Sequence, residues 1–278
     1  MIDIVPIASG VQLSTTTFLP EGTPTGRDVL LTHGLASNQR LWFGAAEALA
    51  AKGHRVVTFD QRGHGQSSKP DNGYDMATVA DDLALLVEAL DLDQPLIGGQ
   101  SWGGNVVLEA AHRHGANISG AVLVDGGFLQ LRRQFPDWDD CARALAPPPL
   151  LGMPLAEITS WVESSAADWP EAGRQATLAN FEARSDGTIA PWLTFERHMT
   201  VLRGLWEHDP AAIYAEVETP VLIIAASDSA EAHARKSPIV DEAVAALPDA
   251  SVHWFDPAHH DVHAQHPDAV ADVLHHFI

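Results

Sequence analysis

The sequence predicts an α/β fold, with a mostly parallel sheet of about eight strands, helices on both faces and an inserted helical lid. Three observations predict it. Short runs rich in β-branched residues alternate with amphipathic helical runs through residue 127. This alternation stops over residues 128–212, a segment that holds a "PPP" run and five of the eight tryptophans. Beyond residue 212 the alternation resumes, as is typical of a parallel sheet covered by helices.

The strands of the first part follow one another in a regular order. "DIVPI" and "VQLSTTTF", joined by the turn "ASG", predict an opening hairpin. Four further strands are predicted, and they read "VLLTH" (29–33), "RVVTF" (55–59), "PLIGG" (95–99) and "GAVLV" (120–124). The later ones are apolar enough to be buried on both faces. Between them, Val79, Leu83, Leu86 and Leu90 recur at steps of four, three and four, which predicts one buried face of a helix.

The region 128–212 is predicted to be an insertion made of helices without strands. In it, "SDGTIAPW" predicts a turn with Asp186-Gly187 at its apex. The strands "PVLIIAA" (220–226) and "SVHWF" (251–255) and a last helix beginning at Pro267 then complete the pattern. We therefore predict a core domain made of residues 1–127 and 213–278, with residues 128–212 as a lid.

Charge and cysteine content exclude several classes of protein. The 278 residues hold 16 basic and 37 acidic side chains, a net charge of −21, and no basic run. Nucleic acid and an anionic membrane surface are therefore not expected as partners. Cys141 is the only cysteine, so no internal disulfide can form, and we interpret it as buried filler. The N-terminus shows no leader pattern and no apolar run spans a bilayer, which favours a cytoplasmic location.

The stretch "GGQSWGGN" (98–105) predicts the chemistry. Ser101 stands between a predicted strand and a predicted helix, with Gly99 and Gly103 on either side. A serine hydroxyl becomes a nucleophile only when a base takes its proton and donors meet the developing oxyanion. A sharp strand-to-helix turn exposes that hydroxyl and requires neighbours without side chains. A glycine-rich turn with an inert serine is the alternative interpretation.

Gly99-Gln100-Ser101-Trp102-Gly103 resembles the G-x-S-x-G elbow of the α/β-hydrolase family, and the resemblance covers about residues 28–127 and 219–278. It implies that Ser101 is the nucleophile and that the backbone N–H groups of Leu35 and Trp102 form the oxyanion hole. His33, in "HGLASNQRLW", then shapes the turn rather than acting as the base. "DQRGHGQSS" (60–68) resembles a structural loop of the family, in which His64 is a bystander.

The resemblance also implies a catalytic histidine and an acid. His260 follows the strand 251–255 and precedes Pro267 by seven residues, as in the family pattern; His259 is the alternative. Asp228, which follows "PVLIIAAS", is the predicted acid. The chain has Ala226-Ser227-Asp228 where relatives often have Gly-x-x-Asp, so the segment that joins the strand to the acid is shorter here. Asp125, after "GAVLV", is the alternative acid, because some relatives carry theirs there.

The predicted function is cleavage of a carboxylic ester or lactone through an acyl-enzyme on Ser101, without a cofactor or metal. The expected partner is a small apolar substrate, with Trp42 and His198 as candidate pocket residues and a homodimer left open. Serine cannot form the alkyl-ester intermediate of dehalogenases, although Trp102 resembles their halide-binding tryptophan. Carbon–carbon bond hydrolysis, perhydrolysis and a non-catalytic receptor remain alternatives. A metal site among His259, His260, Asp261, His263 and His266 is a further alternative, although the segment lacks an H-E-x-x-H pattern.

Overall fold

An eight-stranded sheet forms the centre of the computed structural model, which describes residues 2–8 and 11–278. The strand order is β1-β2-β4-β3-β5-β6-β9-β10. The strands are β1 (Ile2–Ala8), β2 (Val11–Phe18), β3 (Asp28–Thr32), β4 (Arg55–Phe59), β5 (Leu96–Gln100), β6 (Gly120–Val124), β7 (Phe181–Ala183), β8 (Ile189–Pro191), β9 (Val221–Ala226) and β10 (Ala250–Phe255). β2 runs antiparallel to both of its neighbours, and the strands from β4 to β10 in this order are parallel. The predicted fold class is confirmed.

Helices cover both faces of this sheet. They are α1 (Phe43–Ala51), α2 (Met76–Ala89), α3 (Trp102–His114), α4 (Leu131–Gln134), α5 (Trp138–Leu145), α6 (Leu155–Ser165), α7 (Glu171–Leu178), α8 (Phe195–Glu207), α9 (Ala230–Ala246), α10 (Val262–Gln265) and α11 (Pro267–Phe277). The apolar sides of α2, α3 and α9 share one buried cluster, whereas those of α1 and α11 share another on the opposite face. Alternate side chains of a strand pack into one cluster or the other, because successive residues of a strand point to opposite faces of the sheet.

Local signals account for the helix boundaries. The Asp75 side chain accepts a hydrogen bond from the Thr78 amide and caps α2, and Pro267 begins α11 as predicted. On α2, Val79, Leu83 and Leu86 are buried, which confirms the helical face predicted from their spacing. The opening hairpin is confirmed by the pairing of β1 with β2. Its predicted turn at 8–10 falls largely outside the described residues.

Residues 128–212 lie between β6 and β9 and add no strand to the large sheet. The prediction that this insertion lacks strands was wrong, because β7 and β8 pair as a separate antiparallel hairpin. The chain reverses at the predicted Asp186-Gly187 turn, where Gly187 has φ 82°. Strands of three residues are too short to show the alternation by which a strand is recognised in sequence. The division into a core domain and a lid stays a prediction.

The parallel strands all end at one edge of the sheet, so the segments that follow them meet there. These segments are the turn after β3, Ser101 after β5, Asp125 after β6, Asp228 after β9 and His260 after β10. Cys141 is buried, as predicted. In residues 2–8 and 11–278, no helix combines the length and the apolar character that crossing a lipid bilayer requires.

Candidate active site

Ser101 occupies a strained backbone position at the junction of β5 and α3. Its φ of 55° and ψ of −122° lie in a region that side-chain-bearing residues rarely adopt. The Ser101 amide donates to the Val124 carbonyl at 2.8 Å, which ties the turn to the end of β6. A Cβ on Gly99 would lie 2.2 Å from the Gly103 carbonyl oxygen, and one on Gly103 would lie 2.4 Å from the His33 carbonyl oxygen. The predicted reason for these two glycines, close backbone approach, is confirmed.

The turn after β3 lies directly against Ser101. A Cβ on Gly34 would lie 3.1 Å from the Ser101 Cβ. His33 Nδ1 donates to the Gly34 carbonyl at 2.7 Å, and its Nε2 accepts from the Gln61 amide at 3.0 Å. Burial lowers the pKa of His33 to about 4, against the hydrogen bond to Gly34, which raises it. A neutral, doubly hydrogen-bonded His33 therefore holds the shape of the turn.

Two backbone amides are available beside the Ser101 hydroxyl. Within the described residues, neither the Leu35 amide nor the Trp102 amide donates a hydrogen bond to another group of the chain. Trp102 is the first residue of α3, where the helix dipole places partial positive charge. The pair can receive negative charge that develops on a substrate carbonyl oxygen.

His64 contacts both the turn after β3 and the start of α3, the two segments that carry the Leu35 and Trp102 amides. The sequence analysis missed this role. Its Nε2 accepts from the Ala36 amide at 3.2 Å, while Nδ1 donates to the Arg62 carbonyl at 2.9 Å. Its ring also stacks on Trp102, with centroids 5.3 Å apart. Burial, followed by the nearby His33, lowers the pKa of His64 to about 3, so it is neutral at pH 7. Sequence spacing alone carries no signal of this contact.

His260 pairs with Asp125. Its Nδ1 lies 2.6 Å from Asp125 Oδ2, and Asp125 Oδ1 accepts from the Ala226 amide at 3.1 Å. Desolvation of the imidazolium lowers the pKa of His260, but the Asp125 hydrogen bond and the charges of Asp261 and Asp125 raise it more, so the pKa is above its ordinary value. Burial raises the pKa of Asp125, but His260 and Lys236 outweigh it and keep that carboxyl ionised.

Asp228 does not reach His260, so the predicted pairing of these two residues was wrong. Asp228 is exposed, and its carboxylate accepts a hydrogen bond from the Ser229 hydroxyl at 3.0 Å. The buried residue before it, Ser227, donates its amide to Phe255 and accepts from the Ala258 amide. These two bonds tie the end of β9 to the end of β10 and to the segment after it. Asp228 lies beyond these bonds, on the surface. The alternative acid, Asp125, occupies the position instead.

The Lys236 ammonium also contacts Asp125. Lys236 of α9 donates to both carboxylate oxygens at 2.7 Å and to the Ala226 carbonyl oxygen at 2.5 Å. The Asp125 side chain is 2% exposed and that of Lys236 is 25% exposed. The two residues are 111 positions apart, so no local pattern could have indicated their contact.

Ser101 and the Asp125–His260 pair lie at the same edge of the sheet. The Gln100 side-chain amide donates to the His260 carbonyl at 3.3 Å, and a Cβ on Gly126 would lie 2.1 Å from the Ser101 carbonyl oxygen. Within the described residues, the Ser101 hydroxyl and the His260 ring do not hydrogen-bond each other. Such bonds are often long in the absence of substrate and tighten in its complex.

His259 and His263, the histidines near His260 in sequence, make contacts away from Asp125. His259 accepts from the Asp261 amide at 3.1 Å and packs its ring against Trp169. His263 is buried against Trp42, with ring centroids 4.3 Å apart, and burial lowers its pKa to about 3. In the part of the chain that the structure describes, no group of three or more His, Cys, Asp or Glu side chains is arranged to hold a metal ion.

A cavity of about 1080 Å³ lies between the insertion and the turn after β3. Ala36 of that turn lines it, as does His198 of α8. Burial lowers the pKa of His198 to about 4. Most of the remaining wall is apolar and includes Leu145, Pro147, Leu150, Phe181, Trp192 and Leu193. Trp42 was predicted to line the pocket, but it is fully buried in the core with α1 and donates its Nε1 to the Thr32 carbonyl at 2.7 Å.

Comparisons with known proteins support the family and the fold. An AB hydrolase superfamily protein of Bacillus subtilis (strain 168), YisY, is 26% identical over 216 residues, 75% of this chain and 76% of the relative. A non-heme chloroperoxidase of Streptomyces lividans is 38% identical over 104 residues, which cover 37% of this chain and 38% of that protein.

Two solved structures share the fold over nearly their full lengths. The crystal structure of E-2-(acetamidomethylene)succinate hydrolase superposes with a TM-score of 0.76 at 23% identity, covering 100% of this chain and 98% of the other. An esterase from Exiguobacterium antarcticum superposes with a TM-score of 0.73 at 17% identity, covering 100% and 99%. The family model of the alpha/beta hydrolase fold matches residues 29–267. With the strained serine, the eight-stranded sheet and this match together, the chain belongs to the α/β-hydrolase fold family.

Proposed function

We propose that the protein is a serine hydrolase that cleaves a carboxylic ester or lactone through an acyl-enzyme on Ser101. His260 is the base and Asp125 is the acid that orients it. The observation that carries the proposal is the 2.6 Å contact between His260 Nδ1 and Asp125 Oδ2 at the sheet edge where Ser101 stands in a strained turn. A buried carboxylate in that position holds the imidazole in one tautomer and stabilises its protonated form.

The proposed reaction has two stages. His260 Nε2 takes the Ser101 proton as the serine oxygen attacks the carbonyl carbon, and the Leu35 and Trp102 amides donate to the resulting oxyanion. The imidazolium then protonates the leaving alcohol. In the second stage, water activated by His260 attacks the acyl-enzyme and releases the acid. Every proton is moved by His260, and no cofactor is required.

The cavity beside the turn after β3 is the proposed substrate pocket, with residues 128–212 acting as its lid. Its mostly apolar wall supports a substrate whose acyl or alcohol part is apolar, because burying each methylene group contributes about 0.8 kcal/mol. The half-buried His198, neutral at pH 7, supports a hydrogen bond to a neutral group of the substrate rather than an ion pair with an anionic group.

Labelling with a fluorophosphonate tests the nucleophile. We expect the wild type to be labelled and Ser101→Ala to remain unlabelled. Ser164→Ala, which removes an exposed serine hydroxyl on α6, is the matched control and should be labelled like the wild type. Labelling of Ser101→Ala at the wild-type rate would exclude Ser101 as the nucleophile.

A substrate panel tests the reaction. We expect kcat/KM on p-nitrophenyl esters to rise from acetate towards longer acyl chains, and we expect turnover of lactones to require Ser101. Labelling without turnover of any ester or lactone, but with cleavage of a diketone, would instead support carbon–carbon bond hydrolysis. A ligand that raises the melting temperature in the absence of labelling and turnover would support a receptor.

Perhydrolysis is a second candidate, which the relatives called non-heme chloroperoxidase or haloperoxidase favour. In this reaction hydrogen peroxide replaces water as the attacking nucleophile on the acyl-enzyme and yields a peracid. The test supplies acetate, hydrogen peroxide and bromide and measures bromination of a dye. Bromination that Ser101→Ala abolishes, at a rate exceeding ester hydrolysis, would favour this candidate.

A further inference from the structure

The Asp125 carboxylate has two side-chain partners, His260 and Lys236, although the proposed reaction needs only His260. His260 Nδ1 approaches Oδ2, whereas the Lys236 ammonium contacts both oxygens at 2.7 Å. The carboxylate side chain is 2% exposed, so water cannot replace either partner easily. Burying such an ion pair costs desolvation free energy, which good geometry and additional hydrogen bonds must offset.

The contacts of Lys236 fix the orientation of the carboxylate. The ammonium also donates to the Ala226 carbonyl oxygen at 2.5 Å, and the Ala226 amide donates to Asp125 Oδ1 at 3.1 Å. Lys236 therefore joins α9 to the ends of both β6 and β9. With Oδ1 held by an amide and both oxygens held by the ammonium, rotation of the carboxylate is restricted. In this orientation Oδ2 contacts the imidazole.

We propose that Lys236 is a positioning residue of the active site, which holds the Asp125 carboxylate in the plane that His260 needs and offsets part of its negative charge. The inference rests on the proposed function, in which Asp125 and His260 work together. By offsetting that charge, Lys236 lets His260 act as a base at lower pH than it would beside Asp125 alone.

The charges around His260 give the direction of this effect. The titratable and charged groups that face the imidazole or its close neighbours are Asp125, Asp261, Lys236, His263 and His259. The two carboxylates favour the imidazolium, and among the described residues the Lys236 ammonium opposes them. Removing the Lys236 ammonium therefore raises the pKa of His260, because an imidazolium next to two uncompensated carboxylates is more stable. The 25% exposure of Lys236 screens the interaction and keeps the effect moderate.

The first test measures the pH profile of kcat/KM for Lys236→Met on a short-chain p-nitrophenyl ester. We expect the acidic limb to move to higher pH, with a three- to tenfold loss of kcat/KM at about pH 6 and a much smaller loss at about pH 8.5. The reason is that, at a pH below the pKa of a base, raising that pKa by one lowers the neutral fraction of the base, and therefore the rate, about tenfold. Lys236→Arg keeps the charge and should restore most of the activity at low pH. Arg235→Met, the same charge change one residue earlier on an exposed side chain, should leave the limb in place.

The second test uses no turnover. Imidazole signals of the Ser101→Ala protein are titrated by NMR, and the His260 signal is assigned with His260→Gln. We expect the midpoint of His260 to rise when Lys236→Met is added and to stay unchanged when Arg235→Met is added. Melting temperatures of the variants report any general loss of structure.

The outcomes separate the two proposals. A wild type without Ser101-dependent turnover would overturn the proposed function, yet a raised His260 midpoint would still support the role of Lys236. Conversely, turnover together with an unmoved limb and midpoint in Lys236→Met would overturn the inference alone. A uniform loss of activity at all pH values, equal in Lys236→Arg, would show that Lys236 only anchors α9 and would also overturn it.

Discussion

Asp125 reaches His260 because of where its strand lies in the sheet. β6 lies between β9 and β5, which ends just before Ser101, so the end of β6 is adjacent to Ser101. Asp125 also has a positive φ of 44°, a conformation that aspartate tolerates better than most residues. The backbone therefore turns sharply after Val124 and directs a buried carboxylate along the edge toward the segment after β10.

Exchange of the two candidate acids for their amides tests this assignment at the level of single residues. Asp125→Asn should lower kcat by about a thousandfold or more, because the neutral amide neither stabilises the imidazolium nor holds its tautomer. Asp228→Asn should change kcat by less than about twofold, since its exposed carboxylate contacts only Ser229. Steady-state kinetics on one ester checks both. The reverse ranking would restore Asp228 as the acid.

The pH dependence of the wild type reports on the same pair. His260 must be neutral to accept the serine proton, so kcat/KM falls as pH drops through its pKa, which lies above the ordinary value of about 6.5. We therefore expect an acidic limb with a midpoint above about pH 6.5 in a profile from pH 5 to 9. A midpoint near pH 5 would contradict the raised pKa of His260.

At the level of elements, close packing of backbone positions Ser101. β5 and α3 approach each other through Gly99 and Gly103, and the turn after β3 packs on the same junction through Gly34. A helix N-terminus, a strained serine and a turn carrying an unbonded amide thereby meet within one short region. Side chains at these glycines would separate the elements and move the oxyanion donors away from the hydroxyl.

Gly103→Ala measures how strongly the structure depends on this approach. Its Cβ would lie 2.4 Å from the His33 carbonyl oxygen, so we expect a loss of about 2–3 kcal/mol in the free energy of unfolding and a loss of activity. Gly152→Ala is the control, because Gly152 has φ 81° but nothing within 4 Å. It should lose only about 1 kcal/mol, the cost of backbone strain without a clash. Equal losses in urea unfolding would argue against the clash.

For the molecule as a whole, buried histidines connect stability to pH. Burial lowers the pKa of His33 to about 4 and those of His64 and His263 to about 3. In the unfolded chain each would titrate near 6.5. Between these values the unfolded state binds more protons than the folded state, so folding stability is full above about pH 6.5 and is lost as pH falls.

The melting temperature should therefore drop between pH 7 and pH 5, with each of these histidines contributing roughly 2 kcal/mol of destabilisation at pH 5. His263→Phe should lower that pH dependence by about a quarter, because His198, whose pKa burial lowers to about 4, contributes as well. It should cost little at pH 7, because neither ring nitrogen of His263 has a hydrogen-bond partner within the described residues. His253→Phe, which removes an exposed imidazole, is the control. An unchanged slope in His263→Phe would contradict the lowered pKa.

Much of the fold was predictable because it depends on patterns that are local along the chain. The alternation of strands and helices, the buried face of α2 and the start of α11 at Pro267 each arise within about fifteen residues. The elbow around Ser101 was also readable, since a strained turn needs glycines at fixed offsets. The resemblance of its spacing from Pro267 to the family pattern indicated His260, and the structure places it against a buried carboxylate.

The sequence by itself determined the parallel α/β architecture and the strained turn at Ser101, because backbone propensity and hydrophobic periodicity act over short distances. Its resemblance to the family pattern indicated the histidine. Only the tertiary structure shows that Asp125 rather than Asp228 pairs with His260 and that Lys236 and His64 contact the site. It also shows that Trp42 is buried in the core and that β7 pairs with β8. The physical reason is that these contacts join residues far apart in sequence. Their formation depends on which strand ends are adjacent, and that order is set by packing of the entire sheet.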